Sequence, residues 1–121
     1  MCLIKTHRFP KYTHKDIIVY KRLKSVHGEW YTPYQCVNIK LNSLIYNHNL
    51  ILYGVFTDTI EGCGVHSYEE PRVSLFKSII PKGSWYYIGN DGDIASNKLY
   101  VTNEQVCAIP NGKVVTKKIL V

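Results

Sequence analysis

Cations and aromatic rings alternate through the first third of the chain, a pairing suited to holding a negatively charged, planar ligand. Tyr20, Lys21, Arg22 and Lys24 fall in one short run, and Trp30 and Tyr31 follow soon after. A ring can stack on a base while a guanidinium or ammonium neutralises phosphate. Arg22 suits this best, because its planar fork meets two phosphate oxygens at once. If residues 15–23 are extended, Lys15, Ile17, Val19, Lys21 and Leu23 share one side, and Asp16, Ile18, Tyr20 and Arg22 share the other. Tyr20 and Arg22 then form one stacking-and-guanidinium unit, with Lys21 across the sheet. A second anion-sized feature is Gly62-Cys63-Gly64-Val65-His66-Ser67-Tyr68. Its glycines let backbone amides approach a phosphate closely, and His66, Ser67 and Tyr68 add donors. The plain alternatives are a solvated basic face and a bulged strand with Cys63 buried.

Cysteine chemistry is the enzymatic alternative. Removal of Met1 would leave Cys2 as an N-terminal nucleophile with its own α-amine as base, and Cys63 stands three residues before His66. Residues three apart on a strand face opposite ways, so that pair needs a bulge to meet. Cys2 also fits an apolar opening strand, Cys2-Leu3-Ile4. Metal chemistry is disfavoured: Asp91 and Asp93 lack the glutamate that completes a calcium loop, and the five histidines show no ligand spacing. No cofactor is implied.

The charge distribution supports the anion reading. The first forty residues hold eight Lys or Arg against two acids, while the rest of the chain balances seven bases with seven acids. The entire net charge of +6 therefore sits in the first third. At 121 residues the chain is expected to be one domain, 1–121, able to bury a core without metal or disulfide staples. Met1-Cys2-Leu3-Ile4-Lys5 lacks the apolar core of a signal peptide, and no apolar run is long enough to span a membrane. The expectation is a cytoplasmic protein without membrane contact, with Cys2, Cys36, Cys63 and Cys107 reduced.

The elements that must position these groups read mostly as strands. Residues 16–23 are β-branched and aromatic, and Val26-His27-Gly28 turns the chain into Glu29-Trp30-Tyr31. Residues 35–41 alternate polar and apolar, and Leu50–Phe56 reads as a buried strand. Pro71 suits the first turn of a short helix through about Lys77. Further on, strands flank the turns Pro81-Lys82-Gly83-Ser84, Gly89-Asn90-Asp91-Gly92-Asp93 and Pro110-Asn111-Gly112-Lys113, with Trp85–Ile88 returning after the first. Ten Tyr and two Trp suit strands and ligand-facing walls. The class is all-β, or β-rich α+β: a single-domain antiparallel barrel or sandwich with at most one short helix near 70–77.

Ile79-Ile80-Pro81-Lys82-Gly83-Ser84-Trp85-Tyr86-Tyr87-Ile88-Gly89 and Asp91–Leu99, with Met1-Cys2-Leu3-Ile4 and Gly64-Val65-His66-Ser67-Tyr68, resemble small β-rich proteins encoded by gut Bacteroidetes bacteria and their phages. The resemblance covers about half the chain and is strongest over its last 45 residues. It implies a β-rich unit of viral or mobile-element origin and transfers no catalytic residue, the group having no agreed activity. The strand–Pro-x-Gly–strand segment is also similar to one in ADP-ribosyltransferase toxins, but here Glu69-Glu70 are adjacent where those have Glu-x-Glu.

The leading expectation is a non-enzymatic binding module for a small anionic ligand, most simply a nucleotide. In the setting the resemblance implies, it would be a phage inhibitor sequestering a host defence signal. Its contacts would be Tyr20, Lys21, Arg22, Lys24, Trp30, Tyr31, Gly62, Gly64 and His66. One alternative is a nucleic-acid- or protein-binding inhibitor using the basic N-terminal face. Another is a small hydrolase or transferase with Cys2 or Cys63 as nucleophile and His66 as partner. Small β domains often build a pocket between subunits, so a homo-oligomer is compatible with all three.

Overall fold

A computed structural model describes residues 3–121, the side chains of 51–53 excepted. The strands are β1 (Leu3–Ile4), β2 (Lys11–Tyr12), β3 (Ile17–Lys21), β4 (Lys24–Val26), β5 (Glu29–Tyr31), β6 (Asn38–Ile39) and β7 (Ser43–Tyr46). After the helix α1 (Asn49–Gly54) come β8 (Thr59–Ile60), β9 (Val65–Tyr68), β10 (Phe76–Ile80), β11 (Trp85–Ile88), β12 (Asp93–Ser96), β13 (Lys98–Ala108) and β14 (Val115–Lys118). The protein is all-β, built from antiparallel sheets.

The largest sheet runs β14-β13-β10-β3-β9-β12-β11-β2. β13 carries β7 and then β14 along one edge and β10 along the other. In β10, Phe76, Ser78 and Ile80 are buried while Lys77 and Ile79 are half-buried, the period-2 pattern of a strand facing a core.

Pro81–Ser84 makes a turn, but Trp85–Ile88 does not return along β10 as the sequence suggests. It pairs with β12 and β2 instead. The register explains why. Counting from the pair Ile17↔Ile80, five residues back on one segment and five forward on the other arrive at Tyr12↔Trp85, which is the pair observed. The two segments thus form one antiparallel ribbon in unbroken register, bent at a corner. There the Thr13 amide donates to the Ser84 carbonyl at 3.0 Å, and the Lys82 amide donates to Asp16 Oδ1 at 2.8 Å. The bend curls the sheet back towards itself through β9 and β12 without closing a barrel, because β3 and β9 share a single residue pair, Tyr20↔Tyr68.

The short helix lies elsewhere than expected. Around 70–77 the chain makes one turn, with the Leu75 amide donating to the Arg72 carbonyl, and then enters β10. The Val106 amide donates to the Leu75 carbonyl and the Ser74 amide to the Val106 carbonyl, which draws the segment into the sheet. The helix is α1, overlapping the segment 50–56 read as a buried strand; the Asn49 amide at its start donates to Asn47 Oδ1 at 2.9 Å. A smaller sheet, β4-β5-β6, begins with a two-residue hairpin. His27 and Gly28 both take positive φ (53° and 79°), as a type I′ turn requires.

Three buried clusters hold these layers. The main one includes Val19, Leu23, Val65, Phe76, Ile94, Leu99 and Val101. The second gathers Leu3, Leu50, Ile60, Cys63, Tyr87 and Ala95, and the third Tyr20, Leu75 and Val106. Among the described residues no helix is long and apolar enough to cross a membrane.

Candidate ligand-binding cavity

The candidate site lies in the seam between β3 and β9. Past Tyr20↔Tyr68, a continued ladder would set Arg22 opposite His66. Instead the strands splay, and a cavity of about 200 Å³ opens between them. Lys21 and Arg22 line it from β3, and Val65, His66 and Tyr68 from β9. The loop from β5 to β6 closes another side through Thr32, Tyr34, Gln35 and Val37, and the end of β7 adds Tyr46 and Asn47. Among the described residues no Asp or Glu lines it.

Local bonding fixes these walls. Thr32 and Val37 clasp the loop: the Thr32 amide donates to the Val37 carbonyl at 2.9 Å, and the Val37 amide to Thr32 Oγ1 at 3.0 Å. Opposite, Gly64 holds φ at +74°, and a Cβ there would sit 2.7 Å from Leu50 Cδ1. Its backbone therefore packs closer to α1 than any other residue would allow. Gly62, at φ +69°, faces Gln35 Nε2 across 3.8 Å from the position a Cβ would occupy.

The electrostatics are one-sided. Lys21 is only 6% exposed, and among the described residues it forms no ion pair and donates no hydrogen bond. Burial lowers its pKa to about 8, because removing water destabilises the ammonium with nothing to replace it. His66 pairs with Ala95, which pairs with Tyr87, so the three form a row on the face of the second cluster. Both its ring nitrogens are buried without a hydrogen-bond partner. Burial first, and then the charge of Lys21, push the His66 pKa below its ordinary value, leaving the ring neutral at pH 7. The Cys63 backbone pulls the other way at a geometry short of a hydrogen bond, as does the charge of Asp93. Lys21, by contrast, shares its strand face with Val19 of the main cluster. The cavity gathers polar groups from both faces of the sheet because it lies where the sheet parts.

Of the residues singled out in the sequence, Lys21, Arg22, Gly62, Gly64 and His66 meet at this cavity. Tyr20, Lys24, Trp30 and Tyr31 do not line it. Tyr20 is buried against Leu75 and Val106, so the expected Tyr20–Arg22 stacking unit does not form. Trp30 packs edge-on against Phe76, ring centres 4.8 Å apart, at the border of the main core. Tyr31 donates to Glu29 Oε2 at 2.9 Å, a bond that raises its phenol pKa, and Lys24 Nζ meets Cys36 Sγ at 3.0 Å. Cys63 is buried in the second cluster, and desolvation pushes its thiol pKa up, the wrong direction for a nucleophile. Cys2 lies outside the described residues.

Tyr34, one of the rings interleaved with the N-terminal cations, also reaches the cavity, whereas the sequence reasoning missed Thr32, Gln35, Tyr46 and Asn47. Pro33 and the Asn47-His48-Asn49 run marked these segments as loops, but nothing in their spacing says that both loops end over β9. No known protein family, curated protein or solved structure matches this chain, so its function has to be argued from the cavity itself.

Proposed function

We propose that this cavity binds a small anionic ligand of the nucleotide class and holds it intact. The observation that carries this reading is Lys21, a buried cation without a partner, fronting a cavity that also takes in Arg22 and no acid. A buried charge is ordinarily paired, and here the counter-ion is the ligand. At about 200 Å³ the cavity is smaller than the ~300–1,000 Å³ usual for drug-sized ligands, so it takes one end of a nucleotide. The remainder would lie at the mouth, where Tyr34 is 68% exposed and offers a ring for stacking. The resemblance to phage and Bacteroidetes proteins adds a setting in which such a module sequesters a signalling nucleotide.

Calorimetry against a panel of nucleoside mono- and diphosphates and cyclic nucleotides tests this. At least one should bind and be recovered unchanged. Arg22→Ala should weaken that binding by about 1.5–3 kcal/mol, roughly tenfold to 150-fold, if the guanidinium holds a phosphate. A folded protein giving no heat with any of them would overturn the proposal.

A second reading has one observation in its favour. Tyr12 and Trp85 meet edge-on at 5.0 Å on the β2 edge, both exposed, beside the exposed His14 and Lys15. Such a strip suits single-stranded nucleic acid. Affinity falling steeply between low and moderate salt would point there, and a flat dependence to the cavity.

A further inference from the structure

We propose that Lys21 captures carbonyl compounds covalently, forming a reversible imine with a small anionic aldehyde or ketone that enters the cavity. Of the chain's lysines, Lys21 alone is buried. Others have partners: Lys5 Nζ donates to the carbonyls of Arg8 and Gly54, Lys24 meets Cys36 Sγ, and Lys98 lies over the Tyr46 ring. Lys21 combines burial, lack of a partner and a position on the cavity wall. Arg22 beside it offers a planar guanidinium suited to holding an acidic group on the same molecule. This inference uses the cavity but does not depend on the nucleotide reading.

The chemistry balances without an oxidant or reductant. With the ammonium pKa near 8, about a tenth of Lys21 is free amine at pH 7, against well under a hundredth of an ordinary lysine. The amine lone pair attacks the carbonyl carbon, and the C=O π electrons move to oxygen. A proton passes from nitrogen to that oxygen, giving a carbinolamine. Protonation of the hydroxyl and loss of water then leave C=N.

The test uses the full chain with pyridoxal 5′-phosphate as probe, an aldehyde that carries a phosphate. Incubation at pH 8, borohydride reduction, digestion and peptide mass spectrometry locate the adduct. At limiting probe, Lys21 should carry at least tenfold more adduct than the average of the other lysines. Pyridoxal, lacking the phosphate, should lose most of that preference. Labelling of Lys21 should rise with pH to a midpoint near 8. The charged and titratable groups around the cavity are Arg22, His66, Tyr34, Tyr46 and Tyr68, and His66 is already neutral across that range. Lys21→Arg should abolish the Lys21 adduct and leave surface labelling unchanged. Adduct spread over the exposed lysines with Lys21 unmodified would overturn the proposal, and that wild-type map needs no variant to fold. Nucleotide calorimetry is read separately: failure there leaves a Lys21 adduct standing, and failure of labelling leaves anion binding standing.

Discussion

Lys21→Met probes the cavity without any ligand. Methionine follows the lysine stem in length and flexibility and carries no charge into the interior. In the wild type, burial holds the ammonium pKa at about 8 against an ordinary 10.5. The unfolded chain therefore binds more protons than the folded one between those values. Wild-type stability rises with pH through that window, and the penalty is present in full below pH 8. The difference between the two pKa values corresponds to about 3 kcal/mol. At 6% exposure, solvent screening reduces this little. At pH 7 the variant should be more stable than the wild type by up to about 3 kcal/mol, less whatever packing the substitution disturbs. Its advantage should shrink by about 2 kcal/mol between pH 7.5 and 9.5. Urea denaturation of both proteins at the two pH values gives the difference directly, because every group other than residue 21 is common to both. A variant less stable at pH 7, together with a difference that stays flat in pH, would refute the idea that an unpaired ammonium is buried in the seam.

Gly64→Ala should destabilise the protein by about 1–3 kcal/mol, since residue 64 sits at φ +74° and the new methyl would press on Leu50 and the Ser96 carbonyl. Gly28→Ala, at φ +79° with nothing within 4 Å, isolates the conformational part and should lose only about 1 kcal/mol. Equal midpoints for the two variants in urea would show that β9 is not held close to α1. In thiol labelling read by peptide mapping, the exposed Cys36 and Cys107 should react in the native protein. Cys63, buried and with its thiol pKa raised, should react at least a hundredfold more slowly until denaturant is added. Similar rates for Cys36 and Cys63 would dissolve the second core cluster.

Much of the architecture was legible because strand signals and turn chemistry are local. The β-branched run at 78–80 and the glycine turn at 89–93 each contain what they need, and the end of β10 and the β11–β12 hairpin follow, while Phe76 and Lys77, read into a helix, open β10 instead. Pairing partners were less legible. Pro81–Ser84 looks like a hairpin turn from within, and only the unbroken register between 11–21 and 76–86 makes it a corner. Helix against strand failed where an apolar run was short: Leu50–Phe56 has the composition of a buried strand, and the Asn47 side chain that accepts the Asn49 amide is a weak signal of helix. The site divides in the same way. Lys21, Arg22 and His66 could be picked out by type. That Lys21 rather than Tyr20 would reach the cavity depended on which face of β3 meets the main core, and aromatic content pointed the other way. Tyr20 and Trp30 were worth more to folding as buried area than as stacking surface.

The unfavourable energies of this fold gather where a ligand would relieve them. A folded domain is stable by about 5–15 kcal/mol, so a buried cation worth about 3 kcal/mol against folding is a large fraction of the total. That term sits at the seam where β3 and β9 part, beside a second cation and a histidine with two unpartnered nitrogens. Each alone could be an accident of packing. Together they form a concave site rich in donors, with no acid on its walls. A ligand present at a hundred times its Kd stabilises the folded state by about 2.7 kcal/mol, which nearly offsets the Lys21 penalty. Lys5, Arg8, Lys11 and Lys15, all from the same third of the chain and outside the cavity, add a positive field that raises the rate at which anions arrive. If the cavity binds an anion as proposed, the basic third divides its labour, with the outlying charges drawing the anion in and Lys21 and Arg22, on the cavity wall, holding it.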